Sequence, residues 1–194
     1  MIVLGVLLLM GAAGLTLYNI NLDITAGEQS DMVMEELAEF LEDVPIRTVT
    51  SKTALKYDPL VANEPEPLEL DGYRYMGLIT IPALGLQLPV QHEWSYPNLK
   101  VSPCRMSGSL ATEDIVIIAH NYQRHFGTLK SLEIGDEVSV TLVDGTTYVY
   151  QVDAKEIVPP TAVEDVTSGE WPLTLFTCTV SGRTRQVIRC DIAE

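Results

Sequence analysis

The chemistry in this chain is concentrated at three side chains near strand ends. The stretch from 173 to 190 reads LTLFTCTVSGRTRQVIRC and carries two of the three cysteines, Cys178 and Cys190. Its only turn-like segment is Val180-Ser181-Gly182-Arg183. A hairpin centred on Ser181 and Gly182 pairs Cys178 with Arg185 and Cys190 with Leu173. Directly opposed residues have Cβ atoms about 5 Å apart. At about 3.4 Å per residue the two cysteines are then about 17 Å apart, beyond disulfide reach. Cys190 shares a face with Ile188 and Ile192 and reads as a core thiol. Cys178 ends the apolar run at the rim, beside a guanidinium. A cationic neighbour favours the thiolate, the form that attacks carbonyl carbon. A rim cysteine beside a surface arginine is the equally available structural reading of the hairpin alone.

A thiol that acylates needs a proton shuttle. His120 closes the apolar run IVIIA in DIVIIAHNYQRHFGTLKSLEIGDEV, at the end of a buried strand. From there an imidazole reaches an adjacent strand's terminus. His92 and His125 are the competitors; His92 follows LQLPVQ without such a context, and His125 adjoins the start of a short helical pattern. Among arginines, Arg183 sits in the turn and Arg189 pairs near Thr174, away from the rim, so ladder geometry favours Arg185. Cys104, in SPCRMSG, reads as a core thiol or a second groove thiol.

The elements that must hold these groups are β-rich. YMGLITIP, GLQLPVQ, DIVIIA, DEVSVTLV, TTYVYQVDAKEIV, PLTLF and RTRQVIRCDI are separated by Gly, Pro and Asp signals. Asp144-Gly145 marks the centre of a hairpin turn, and FGTLKSLEIG carries the one short helical pattern among them. Many short strands with few helices point to a closed or nearly closed β-barrel over 72–194.

The first part of the chain has a different texture. MIVLGVLLLMGAAGLTLYNINL lacks a charged side chain through Leu22, and as a helix spans about 33 Å, enough to cross a bilayer core. It reads as an uncleaved anchor rather than a signal peptide. The apolar run continues through Leu15, Leu17 and Tyr18, past the small residues 11–14. From Ser30 to Val44 a helical pattern places Met34, Leu37, Ala38 and Leu41 on one face; Ser30 is positioned to cap it and Pro45 to end it. Its apolar stripe packs either on the body or on a partner. The prolines after it read as an extended linker to Asp71. The expected organisation is a transmembrane anchor over 1–22, an acidic stalk helix and linker over 23–71, and a catalytic barrel over 72–194.

Charge narrows the function. The chain carries 27 Asp and Glu against 12 Lys and Arg, a formal charge of −15, which argues against nucleic-acid binding. An odd number of cysteines outside the cytoplasm leaves a thiol free or paired with another chain.

The segments IIAHNYQRHFGTLKSLEIGDEV, LTLFTC and RQVIRC, with the earlier GLITIPALGLQLPV, resemble the sortases, membrane-anchored cysteine transpeptidases of Gram-positive bacteria. LTLFTC looks like the family's TLxTC box, and RQVIRC is similar to its Arg-bearing last strand. The resemblance covers about residues 73 to 193, in the right order. It implies a mainly β fold: a sortase-like closed barrel of about eight strands with short helices, preceded by a transmembrane helix and a stalk helix.

The resemblance also implies roles: Cys178 nucleophile, His120 acid and base, Arg185 oxyanion or carbonyl donor, with Thr177 shaping the site. The long connection VPPTAVEDVTSGEWPL offers Val163, Val166 and Trp171 as groove residues, or is a surface loop pinned by Trp171. Glu164, Asp165 and Glu170 form no defined oxygen cage, so no metal and no cofactor is expected. The implied partners are the sorting-signal peptide of a secreted protein and an amine acceptor from peptidoglycan or a pilin. The body is expected outside the cell, held at the membrane by the N-terminal helix. Asp58-Pro59-Leu60 departs from the Asp-Pro-aromatic lid of pilus-building members, and His120-Asn121 with Phe126 looks closer to class B; the subclass stays open. A thiol peptidase releasing its acyl group to water and a non-catalytic tethered barrel are the alternatives.

Overall fold

The structure, a computed structural model, describes residues 2–50 and 64–193. Asp58-Pro59-Leu60 lies outside the described residues. Among the described residues one helix, α1 (Ile2–Glu42), precedes ten strands: β1 (Arg47–Val49), β2 (Leu68–Leu70), β3 (Tyr73–Ile81), β4 (Leu86–Gln91), β5 (Cys104–Ser107), β6 (Ile115–Ile118), β7 (Glu137–Leu142), β8 (Thr146–Val158), β9 (Leu173–Cys178) and β10 (Arg185–Ile192). Two single-turn helices, α2 (Tyr96–Leu99) and α3 (Val163–Val166), and 3-10 segments at Pro82–Leu84 and Phe126–Ser131 fill the connections.

Strand pairing runs β8-β10-β9-β6-β5-β4-β3, and β7 joins β3 back to β8, which closes an eight-stranded barrel as expected. Closure removes the exposed edges that an open sheet would leave. The interior is filled by the alternate residues of these strands, among them Ile79, Val90, Ile115, Ile117, Val140, Tyr150, Leu175, Ile188 and Cys190. The period-2 burial of β7 and the first half of β8 follows from one face lining that core. β6 is buried almost throughout because strands flank it on both sides and the segment 159–172 covers its outer face at Val116 and Ile118.

Local chemistry sets the corners. Between β7 and β8 the Asp144 carboxylate accepts the Thr146 N–H at 2.9 Å, and Gly145 sits at φ 80°, a conformation open to glycine at little cost. Three strands were not anticipated: β5, which pairs with β6, and the two short strands β1 and β2. β1 pairs in parallel with β8 and β2 antiparallel with β3, both from the segment read as linker.

α1 is continuous through the region expected to separate anchor and stalk. Ser30 therefore does not cap a helix; it lies mid-helix and its Oγ donates to the Val101 carbonyl at 2.8 Å. Through Asn21 the helix is exposed, and this part is long and apolar enough to cross a membrane. From Ala26 onward Gly27, Ser30, Val33 and Leu37 recur at spacings of three and four and are buried. Leu37 packs with Leu78 and Val143, and Met34 and Leu41 flank that cluster with Leu68 and Leu70. The helix's lower stripe thus docks on the barrel itself. Ala38, expected on that stripe, is exposed; Val33 takes the place instead.

Candidate active site

The hairpin register is the one read from the turn. Cys178 opposes Arg185, Thr177 opposes Gln186, and Cys190 opposes Leu173. The turn closes through Gly182 N–H to Thr179 O at 2.8 Å and Thr179 N–H to Thr184 O at 3.0 Å. All three cysteines are free thiols; Cys104 and Cys190 are buried and Cys178 is partly exposed. Burial pushes the Cys104 thiol up to about 12 and the Cys190 thiol higher still, so both are held as neutral core thiols.

His120 follows β6, which runs parallel to β9 with Ile118 opposite Phe176. Both strands therefore end at the same rim, and their next residues lead toward His120 and Cys178. Two bonds extend this pairing past the ladder. Ala119 N–H donates to Phe176 O at 3.3 Å, and Thr177 Oγ1 donates to Ala119 O at 2.8 Å, with Thr177 and Ala119 both buried. Thr177 thus holds the backbone immediately before His120 rather than lining the groove.

His120, Cys178 and Arg185 all line one open pocket of about 290 Å³. Burial, and then the positive charge of Lys100, holds the His120 imidazole below its ordinary range. Its ring lies 4.8 Å, centroid to centroid, from that of Tyr122. Arg185 Nη1 donates to the Gly182 and Thr184 carbonyls, both at 3.2 Å, and the other guanidinium N–H groups find no partner among the described residues. A thiol, an imidazole and a guanidinium around one apolar hollow are the set that nucleophilic acyl transfer uses: attack, proton relay and oxyanion donation.

The hollow's walls are largely apolar, formed by Met106, Ile118, Phe176, Pro159, Val163 and Val166. Of the three groove candidates from the 158–173 connection, Val163 and Val166 line this pocket. Trp171 does not line this pocket; it lines a separate hollow with Thr112, Glu113 and Glu170, two residues after Gly169 at φ 76°.

Trp94 and Tyr96 complete the pocket's mouth, their rings edge to face at 5.8 Å. Sequence reasoning missed them. Two exposed aromatics flanking the Ser95 N-cap of α2 were the available signal.

Arg189 was also under-read. It is buried, and Nη1 donates to Val166 O and Thr174 Oγ1 at 3.2 Å, while Nη2 donates to Asp165 O at 3.2 Å. It pins the α3 turn, and with it Val163 and Val166, onto the strand that carries Cys178. The remaining arginine candidate, Arg183, is exposed in the turn.

The competing histidines lie elsewhere. His92 packs against Arg105, whose Nε donates to its carbonyl at 3.0 Å; burial first, and then that guanidinium, lower its pKa. His125 is fully buried, with Nε2 3.1 Å from Ser30 Oγ. Among the described residues no group of three or more His, Cys, Asp or Glu side chains is arranged to hold a metal ion.

Residues 79–193 match a protein-family model described as the sortase domain. A comparison with functionally curated proteins gave no match. Among solved structures, the pilus-related sortase C of Group B Streptococcus is 25% identical at a TM-score of 0.55, over 66% of this chain and 70% of that one. A sortase D5 transpeptidase of Clostridium perfringens superposes at a TM-score of 0.59 with 17% identity, over 86% and 99% of the two chains. Sortase A from Corynebacterium diphtheriae gives 0.56 with 20% identity, over 95% and 96%. The last two likenesses speak for the fold alone.

Proposed function

The chain belongs to the sortase family of cysteine transpeptidases, and we propose that Cys178, His120 and Arg185 carry out its reaction on the C-terminal sorting signal of a secreted protein. The observation that carries this reading is the shared pocket: the one partly exposed thiol opens into the same hollow as His120 and Arg185.

In the first half-reaction the Cys178 thiolate attacks the scissile carbonyl carbon. Arg185 donates N–H groups to the developing oxyanion, releasing the hold on its own turn carbonyls as the peptide takes their place. The tetrahedral species collapses to a thioester as protonated His120 gives its proton to the departing amine. In the second half-reaction neutral His120 takes a proton from an incoming primary amine. That amine attacks the thioester, and the Cys178 sulfur leaves as thiolate, which restores the starting pair. The low imidazole pKa suits the second half, since a neutral base is then the common form near pH 7. The apolar walls at Met106, Val163 and Val166 fit aliphatic or prolyl side chains of an extended peptide.

The acceptor is an amine of the cell wall or of a pilin, the latter in keeping with the pilus-related sortase among the similar structures. The division into anchor (1–22), stalk and connector (23–71) and catalytic barrel (72–194) accords with a body held outside the cell by the exposed apolar part of α1.

Product partition tests the proposal. Candidate sorting peptides incubated with the full-length protein and a primary amine are expected to give the amide of the N-terminal fragment. Free acid as the sole product, unchanged by added amine, would instead identify a thiol peptidase. No turnover of any sorting peptide, with an unreactive Cys178, would leave a binding module.

A further inference from the structure

The loop that carries His120 is held from outside the barrel, by α1. The Asp23 carboxylate accepts the backbone N–H groups of Gln123 and Arg124 at 3.2 and 3.4 Å. Asp31, two turns further along the same face, pairs with the Arg124 guanidinium. Between them lies Gly27, where a Cβ would stand 2.3 Å from Cδ of Arg124, so the helix surface has been cut back to admit that side chain. Ser30 Oγ gives its own proton to Val101 O, so it accepts from His125 Nε2–H at 3.1 Å. Positions 23, 27, 30 and 31 form one stripe of the helix, rising about 12 Å in all.

The path from that stripe to His120 is short and continuous. The His125 ring lies against Tyr122 at 5.5 Å, tilted by 52°, and Tyr122 against His120 at 4.8 Å, tilted by 39°. The loop is closed at its far end by Phe126 N–H to His120 O at 3.1 Å and Gly127 N–H to Tyr122 O at 2.9 Å. Gly127 admits no Cβ, which would lie 2.6 Å from Asn121 O. The loop itself is therefore tight, but on its outward face the Gln123 N–H, Arg124 and the His125 ring find polar partners on α1.

Resting on the assignment of His120 above, we infer that the stripe Asp23, Gly27, Ser30 and Asp31 of α1 positions the His120 ring through the 122–125 loop. The membrane-proximal helix is then a working part of the site and not only a tether. Asp23 directly follows the uncharged run that ends at Leu22, so the clamp lies at the point where the helix leaves the apolar segment. Any tilt of α1 against the barrel is transmitted to the imidazole.

The experiment uses the full chain in detergent micelles, with three readouts: amide exchange at Gln123 and Arg124, the NMR shift of the His120 Hε1 proton, and kcat with KM. Asp23→Ala is expected to speed exchange at both amides about tenfold or more. It should move the His120 signal away from the position set by the Tyr122 ring current, and lower kcat about tenfold with KM within twofold. Asp23→Asn keeps one acceptor oxygen and should recover part of each change. Gly27→Ala favours the helix intrinsically, yet displaces Arg124, and should move the His120 signal in the same direction. Glu35→Ala, on the exposed face, should change none of them. An unshifted His120 signal in Asp23→Ala, or unchanged kcat despite faster exchange, overturns the inference. If the parent protein transfers no peptide at all, the exchange and shift readouts still decide the clamp, and it is the functional assignment that has failed.

Discussion

Replacing Thr177 by valine separates a groove residue from a backbone support. The side-chain volume is conserved, but the hydroxyl that donates to Ala119 O at 2.8 Å is lost, and a carbonyl buried with Ala119 is left unpaired. Such a loss costs about 1–3 kcal/mol. For a domain of this size that lowers the melting temperature by about 2–10 °C. Ala119 is the residue before His120, so the same loss frees the imidazole's attachment to the rim. If about 1.4 kcal/mol of it is felt in the transition state, kcat falls about tenfold with KM nearly unchanged. Thr177→Ser restores the donor and should return kcat to within about twofold of the parent. Thermal melts and steady-state transfer to a primary amine measure both quantities. A raised KM with unchanged kcat in Thr177→Val, or equal behaviour of the valine and serine variants, would refute the reasoning.

Four further outcomes are expected. Burial and Lys100 depress the His120 imidazole, so the acid limb of the kcat/KM profile should fall below 6.5, and Lys100→Ala should move it upward; a limb above 6.5 contradicts the arrangement. His125 is held at about 4 by burial against an ordinary 6.5, so its neutral form is favoured on folding. Stability should be full above pH 6.5 and decline by on the order of 3 kcal/mol as pH falls toward 4, a loss that His125→Gln should remove from melts measured across that window. Arg189→Met removes the bonds to Val166 O, Asp165 O and Thr174 Oγ1 and should destabilise by about 2–3 kcal/mol, with KM raised more than kcat is lowered in peptide titrations. Arg185→Lys should lower kcat by roughly 100-fold in the same assay, since a point charge replaces a planar donor set.

What could be read from the residues depended on whether short-range rules decided the outcome. The hairpin register followed from its turn, because once Ser181 and Gly182 are central every rung is fixed, and Cys178 falls opposite Arg185. The long strands β3, β7, β8 and β10 announced themselves through β-branched and aromatic runs. β1, β2 and β5 did not. Each has only three or four residues, and their pairing with β8, β3 and β6 is a tertiary event that no local pattern encodes. Ser30 illustrates the same limit. Its type and position suit a helix cap, yet the helix runs on because the barrel supplies partners, Val101 O and His125, for a hydroxyl that would otherwise compete with the backbone. The loop carrying Trp171 could be read as groove or as surface, and only the folded chain places that side chain in a hollow apart from the pocket of Cys178. Arg189 lay outside the rim reading by register, and its work is visible only once α3 folds over it.

The central claim is tested most directly by intact and peptide-level mass spectrometry of the full-length protein after brief exposure to a sorting-signal peptide. The account predicts an acyl adduct on Cys178 alone, with Cys104 and Cys190 unmodified, discharged on addition of a primary amine and failing to accumulate in Cys178→Ala. An adduct on either buried thiol, or turnover that persists in Cys178→Ala, would contradict it.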